Sequence, residues 1–266
     1  MQSDDWGWVD ETDGDWTPPP IDLTKPSIAR IYDYGLGGKD NYPIDRAVAE
    51  KFMAFAPDVP LAARANRGFL TEAVQSMLAA GIRQFIDLGT GIPTSPNVHE
   101  TAWAVAPDAL VVYVDNDPIV LAHNRALMQG ERRAAVLAHD LRDPAAVLGD
   151  RRVEALLDLS RPVGLLVVGV MHFVDIAPGP PVLARYLRDL APGSQLAISA
   201  LSSHGIDPVV LRQTESAYGR DTDAGVVYRT EAQLQALFDR LTMVRPLAEV
   251  YRSDTLAVLG GIGAKD

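Results

Sequence analysis

Apolar positions follow two regimes along the chain. Up to about residue 80 they recur at helical spacing. Leu70, Ala73, Val74, Met77 and Leu78 share one face, which predicts a helix over 61–80 that Gly81 ends. Residues 27–55 predict a helical lead-in broken by Gly35, Gly37 and Gly38. Beyond residue 80 short apolar runs alternate with helical stretches. The runs Gln84–Leu88, Leu110–Val114, Ala135–Ala138, Val163–Val168 and Gln195–Ala200 are strand candidates. Val163–Val168 is apolar at nearly every position, as a strand covered on both faces requires. Helix starts are marked between the runs. Ser95 and Pro96 read as cap and first residue of a helix from about Asn97, and Asp117-Pro118 opens another. Val182, Leu183, Tyr186, Leu187 and Leu190 trace a helix face, and Thr230-x-x-Gln233 is a capping box. Thr242–Tyr251 and Thr255–Leu259 are late strands close enough to pair antiparallel, and 201–229 reads as a loop.

Strands alternating with helices specify parallel βαβ units with right-handed crossovers. The expectation is an α/β fold: a doubly wound, mostly parallel seven-stranded sheet, Rossmann-like, with an N-terminal helical cap. Ligands of such sheets bind beyond the C-terminal strand ends, which directs attention to the loops after residues 88, 114, 138, 168 and 200. The organisation predicted is an acidic tail over 1–20, ending in Pro18-Pro19-Pro20, and one domain over 21–266. In that domain 21–80 form the cap and 81–266 the Rossmann-like core.

Composition narrows the function classes. The 266 residues carry 24 Lys+Arg against 35 Asp+Glu, a net charge of −11, which disfavours a nucleic-acid binder. Residues 1–20 hold six of the acids with no Lys or Arg, and Trp6, Trp8 and Trp16 among them. This acidic, aromatic stretch reads as a disordered extension, with docking onto a partner as the alternative. The absence of cysteine excludes disulfides, Cys-ligated metals and a thiol nucleophile. No signal-peptide pattern opens the chain, and no apolar run approaches the roughly 18 residues of a membrane span, so a soluble cytoplasmic protein is expected.

Three loops carry chemistry in chain order. The first strand runs into Asp87-Leu88-Gly89-Thr90-Gly91, a turn that lets backbone approach a ligand closely; a plain strand-to-helix turn is the competing reading. The second ends in Asp115-Asn116-Asp117. Asp115 is placed to accept from both hydroxyls of a ribose, while Asp117 is explained as the cap before Pro118. The third is followed by His139-Asp140-Leu141-Arg142. Asp140 could accept from an adenine amino group with Leu141 on the ring, or simply form the turn. Together they describe an adenosine-containing ligand. A dinucleotide fingerprint needs a third glycine where Thr94 stands, so S-adenosylmethionine fits better, with a nicotinamide cofactor as the weaker alternative. Pro192-Gly193 before the fifth strand resembles the helix-to-strand junction of methyltransferases of this fold.

Longer stretches carry a family resemblance: 29–41 (ARIYDYGLGGKDN), 65–70 (ANRGFL), 81–91 (GIRQFIDLGTG), 97–100 (NVHE), 112–118 (VYVDNDP) and 171–173 (MHF). They resemble the S-adenosyl methyltransferase family of actinomycete-type bacteria, formerly a domain of unknown function, over residues 22 to about 203. Leu241 to Arg252 departs from the family's usual sequence. The resemblance implies a class I methyltransferase fold with S-adenosyl-L-methionine as cofactor, and names no substrate. It also implies that the N-terminal segment closes over the cofactor, with Lys39 or Arg67 meeting the methionine carboxylate. Asp87, Asn116 and Val170 complete the expected cofactor set. His172 follows the fourth strand, on the loop that faces the transferable methyl in this fold, as a candidate catalytic base or orienting group. A structural role for it is the competing reading.

The function expected is methyl transfer to a small-molecule acceptor, with Ser202, Ser203, His204, Tyr218 and Tyr228 near the acceptor pocket. A non-catalytic protein that binds S-adenosylmethionine or S-adenosylhomocysteine and regulates a partner is the alternative. No metal is expected, since the five histidines lack ligand spacing. The oligomeric state is not specified by the sequence.

Overall fold

Seven strands form one sheet in a computed structural model of the chain, which describes residues 21–176, 179–219, 222 and 225–266. The tail over 1–20 lies outside the described residues. The strands are β1 (Gln84–Leu88), β2 (Leu110–Asp115), β3 (Ala134–Ala138), β4 (Gly164–Val168), β5 (Gln195–Leu201), β6 (Thr242–Arg252) and β7 (Ala257–Ala264). Their order is β3-β2-β1-β4-β5-β7-β6. The first five strands in sequence pair parallel, while β7 runs antiparallel to both β5 and β6. Winding reverses between β1 and β4, which opens a crevice at their C-terminal ends.

The helices are α1 (Ile28–Leu36), α2 (Pro43–Met53), α3 (Val59–Ala79), α4 (Val98–Trp103), α5 (Pro118–Leu127), α6 (Pro144–Leu148), α7 (Arg151–Leu156), α8 (Gly179–Asp189), α9 (Pro208–Gly219) and α10 (Glu231–Gln235). Two apolar clusters cover the sheet. One joins Ile86, Val112, Leu165 and Ile198 to Leu183 and Tyr186 of α8 and to Leu190 just after it. The other joins Phe85, Val111 and Leu166 to Phe69, Ala73, Val74 and Met77 of α3. The C-terminal half of α3 is thus part of the sheet's core. A third cluster, with Ile31, Val48, Phe52, Tyr218, Tyr228 and Val258, ties α1, α2 and α9 over the C-terminal strand ends.

Two local expectations are corrected. The helix after β1 is capped by Asn97, not by Ser95 and Pro96, whose peptide bond is cis. The Glu100 carboxylate accepts from Asn97 N–H at 2.6 Å and Asn97 Oδ1 accepts from Thr94 N–H at 3.0 Å, so the Asn97 side chain closes the loop while Glu100 caps the helix start. The stretch 201–229 is not all loop. It contains α9, opened by Asp207, whose carboxylate accepts from Val209 N–H at 2.7 Å. The same Asp-Pro signal that marks α5 stands at Asp207-Pro208, but only Thr214 and Tyr218 of α9 are buried, too few to show helical periodicity.

Candidate functional site

A cleft of about 720 Å³ opens at the switch point, lined from β1, β2, β4 and the loop after β3 and roofed by the N-terminal segment. Gly89 turns the chain out of β1 with φ +72°. A Cβ there would lie 2.5 Å from Val170 Cγ2, so a side chain meets both backbone strain and a clash. Gly91 also has positive φ, but a Cβ there would meet nothing within 4 Å; its backbone faces open space.

Asp115 ends β2 beside this turn. Its carboxylate accepts from Gly91 N–H at 3.0 Å and from Asp117 N–H at 2.9 Å. Burial pushes its carboxyl up to about 6 despite these donors. Asp87 is held at about 6 by the same cause, and the Asp115 charge adds to it. Two carboxylates, Asp87 buried and Asp115 half-buried, therefore line one cleft. Asp117 caps α5 through Ile119 N–H at 2.9 Å, as the Asp-Pro pair predicts. Its other oxygen accepts from the Ser27 hydroxyl at 2.5 Å, which joins the N-terminal segment to the rim.

Asn116, Asp140, Leu141 and Val170 also line the cleft. Asp140 is held below the usual carboxylate range by the Arg142 guanidinium, which pairs with it at 2.5 Å. Arg67, on α3, lines the cleft and donates to the carbonyls of Thr94 and Pro96, both at 2.6 Å; its Nε is buried without a hydrogen-bond partner. Lys39 is exposed and does not line the cleft. The glycine-rich loop that carries it is folded back on Asp33, which accepts from Asp40 N–H at 2.9 Å and Asn41 Nδ2 at 2.7 Å. That loop is a helix cap with its own internal anchor, and Lys39 points away as a consequence.

His172 sits on a 3₁₀ turn after β4 (Met171–Phe173) and lines a smaller cavity next to the cleft, not the cleft itself. Burial and the nearby Arg229 push its imidazole down to about 3, so the ring is neutral near pH 7. Arg229 is itself buried. It clamps this turn by donating to the carbonyls of Met171, Val174 (2.6 Å) and Asp175 (3.1 Å). Ser202 and Tyr228 lie in the neighbouring core, while Tyr218 lines the smaller cavity with His172.

Several lining residues were not singled out from sequence as site residues: Ser27, Arg30, Tyr32 and Asn66. They are fixed by long-range partners. Asp45, fully buried, accepts from Ser27 N–H at 2.9 Å, Arg30 Nε at 2.8 Å and Tyr42 N–H at 2.9 Å. Asn66 accepts from Ser199 Oγ on β5 and donates to Tyr32 Oη at 3.2 Å. Apart from the local Tyr42–Asp45 bond these pairs span from 15 to 133 residues of sequence, so no local pattern reveals them.

Among the described residues no helix is long and apolar enough to cross a membrane, and no group of three or more His, Cys, Asp or Glu could hold a metal ion. The strand order, the reversed last hairpin and a carboxylate at the end of β2 define a class I methyltransferase architecture. The chain belongs to the S-adenosyl methyltransferase family, whose pattern matches residues 14–254. The cofactor of that family is S-adenosylmethionine. A DUF574 family protein from Streptomyces avermitilis is 37% identical, with a TM-score of 0.87 over 93% of this chain and 100% of that one. A putative methyltransferase from Thermobifida fusca is 36% identical, with a TM-score of 0.87 over 94% of this chain and 99% of that one. A putative S-adenosyl-L-methionine-dependent methyltransferase of Mycobacterium marinum is 30% identical over 207 residues, which is 73% of this chain. The match spans 58% of the length of that curated relative.

The residues present fit this cofactor. Asp115 is a half-buried carboxylate in the cleft lining at the end of β2, the backbone at Gly91 is open to a ligand, and Arg67, whose Nε has no hydrogen-bond partner, is a cation in the same lining.

Proposed function

We propose that this chain transfers the methyl group of S-adenosylmethionine to a small-molecule acceptor. Asp115 accepts from the ribose hydroxyls. Gly89 and Gly91 bring backbone against the ligand, with Asp87 behind them. Asn116, Asp140 and Leu141 hold the adenine, Arg67 meets the methionine carboxylate, and Val170 packs at the end of β4. When bound, the donor supplies a methyl group already activated on a sulfonium centre. The chain's main task is therefore alignment, which contributes several kcal/mol (order of magnitude) to lowering the barrier.

The observation that carries this reading is the Asp115 carboxylate, half-buried at the strand end and lining the same cleft as Asp87 and the Gly89–Gly91 turn. His172, neutral and of low basicity, suits orienting an acceptor better than removing its proton. A small molecule fits a cleft roofed by the N-terminal segment and an acidic chain better than a nucleic acid does. Calorimetric titration with S-adenosylmethionine and S-adenosylhomocysteine tests the reading. The Asp115→Ala variant is expected to weaken both by about 2–3 kcal/mol, roughly 30- to 150-fold, the order expected for lost hydrogen bonds to a charged group. Unchanged affinity in that variant refutes the assignment. Labelled methyl transfer into small-molecule extract separates an enzyme from a binding-only protein.

A further inference from the structure

Next to the cleft lies a second cavity of about 80 Å³. Tyr32, Asn66, Gly169 and Phe173 line both spaces, so the two share a wall. Apart from His172 and Tyr218 the rest of its lining is apolar: Phe52, Val59, Ala63, Leu201 and Val226 are typical, and no Asp, Glu, Lys or Arg takes part among the described residues. An ionised group placed there would lose its hydration with no counter-charge in return.

The polar atoms of the wall are mostly committed. Tyr32 Oη donates to Ala63 O at 3.2 Å and accepts from Asn66 Nδ2 at 3.2 Å, and Asn66 Oδ1 accepts from Ser199. Nδ1 of His172, by contrast, is buried and has no partner. A buried ring nitrogen without a partner costs free energy unless something else supplies one. His172 is also held in place rather than free to turn away. Its ring packs against Phe173, tilted by 55° with centroids 4.3 Å apart, and Arg229 clamps the turn that carries both.

Resting on the donor-cleft reading above, we infer that this cavity takes the reactive end of the methyl acceptor: a compact, uncharged, carbon-rich group whose N–H or O–H donates to His172 Nδ1. Size limits it further. A dry cavity of about 150 Å³ accepts a benzene ring, so about half that volume suits a short branched alkyl group or a five-membered ring. Acceptors that are charged at the reacting end are excluded by the same lining.

The test uses the full chain saturated with S-adenosylhomocysteine and ligand-detected NMR titrations. Pyrrole and furan are rings of similar shape that differ in one N–H donor; isobutylamine and isobutyrate are the charged probes. Pyrrole is expected to bind at least about fivefold more tightly than furan and about tenfold more tightly than either charged probe, ratios set by one hydrogen bond and by desolvation. Ala63→Leu fills the cavity and is expected to weaken pyrrole by at least about tenfold while S-adenosylhomocysteine affinity stays within about twofold. His172→Phe removes the unpartnered nitrogen and is expected to abolish the preference for pyrrole over furan, a change that loss of packing alone would not cause. This second variant carries the test if Ala63→Leu does not fold. Furan binding as well as pyrrole in the wild type, charged probes binding as tightly, no pyrrole binding at all, or unchanged pyrrole affinity in the filled variant each overturns the assignment. A wild-type chain that takes pyrrole as expected but binds no S-adenosylhomocysteine overturns the donor reading instead, and the acceptor role of the cavity with it.

Discussion

Acidification from pH 7 to pH 5 should loosen the cofactor by about tenfold, and the structure shows why. Burial holds the Asp115 carboxyl at about 6. Such a group is about nine-tenths ionised at pH 7 and about one-tenth ionised at pH 5. Only the carboxylate can accept from two ribose hydroxyls at once, so the apparent dissociation constant rises in proportion as that form disappears. Linkage fixes the sign for the empty protein. Asp115 is raised from about 3.8 unfolded to about 6 folded, so the native state holds the extra proton between those values. The contribution to stability is full below the unfolded value and is lost as pH rises through 6. Asp115→Asn removes that cost. At pH 7 the empty variant should be more stable than the wild type by at most about 3 kcal/mol, the equivalent of a shift of about two pH units, and the gain should vanish by pH 4. The same substitution should weaken S-adenosylhomocysteine. Asp87 titrates in the same range and opposes the ionisation of Asp115, so the variant keeps a shallower pH response. Calorimetry at pH 5, 6, 7 and 8, paired with urea denaturation of the empty proteins, checks both halves. An affinity that is flat from pH 7 to pH 5, or an Asp115→Asn curve parallel to that of the wild type, refutes the reasoning.

Other consequences follow from the roof and the turn. Asp45→Ala leaves the Arg30 guanidinium buried without its carboxylate and should cost about 3–5 kcal/mol in denaturant unfolding. Ser27→Ala removes the bond to Asp117 and the α1 cap, costing about 1 kcal/mol of stability and raising the cofactor dissociation rate in stopped-flow measurements. Gly89→Ala combines a left-handed backbone with a clash at Val170; a loss of at least about 1–2 kcal/mol of stability, with weaker S-adenosylhomocysteine binding, is expected in thermal unfolding and calorimetry.

The sheet was legible because parallel strands buried on both faces must be apolar throughout. β4 is the clear case, and the Asp117-Pro118 pair marks α5 by a purely local hydrogen bond. The chain order of Asp87, Gly89, Gly91, Asp115, Asn116, Asp140, Leu141 and Val170 maps onto one cleft because each lies at or just beyond the end of a parallel strand, and parallel strands end on the same edge. What the sequence hides is set at long range. Lys39 reads as a free cation among glycines, yet Asp33 ties its loop into a cap and leaves it outside the cleft. The Asp45 hub and the Asn66–Ser199 pair join segments far apart in the chain. His172 follows β4 as its place in the chain indicates, but the turn that carries it is held by Arg229, 57 residues further on, reaching three carbonyls around it.

The most direct test of the central claim is a crystal structure of the chain with S-adenosylhomocysteine bound. The account predicts both ribose hydroxyls within hydrogen-bond distance of the Asp115 carboxylate, backbone of Gly89 to Gly91 against the ligand, and the thioether end facing the wall shared with the His172 cavity. A nucleoside lying elsewhere, with Asp115 contacting only its own loop, would contradict it.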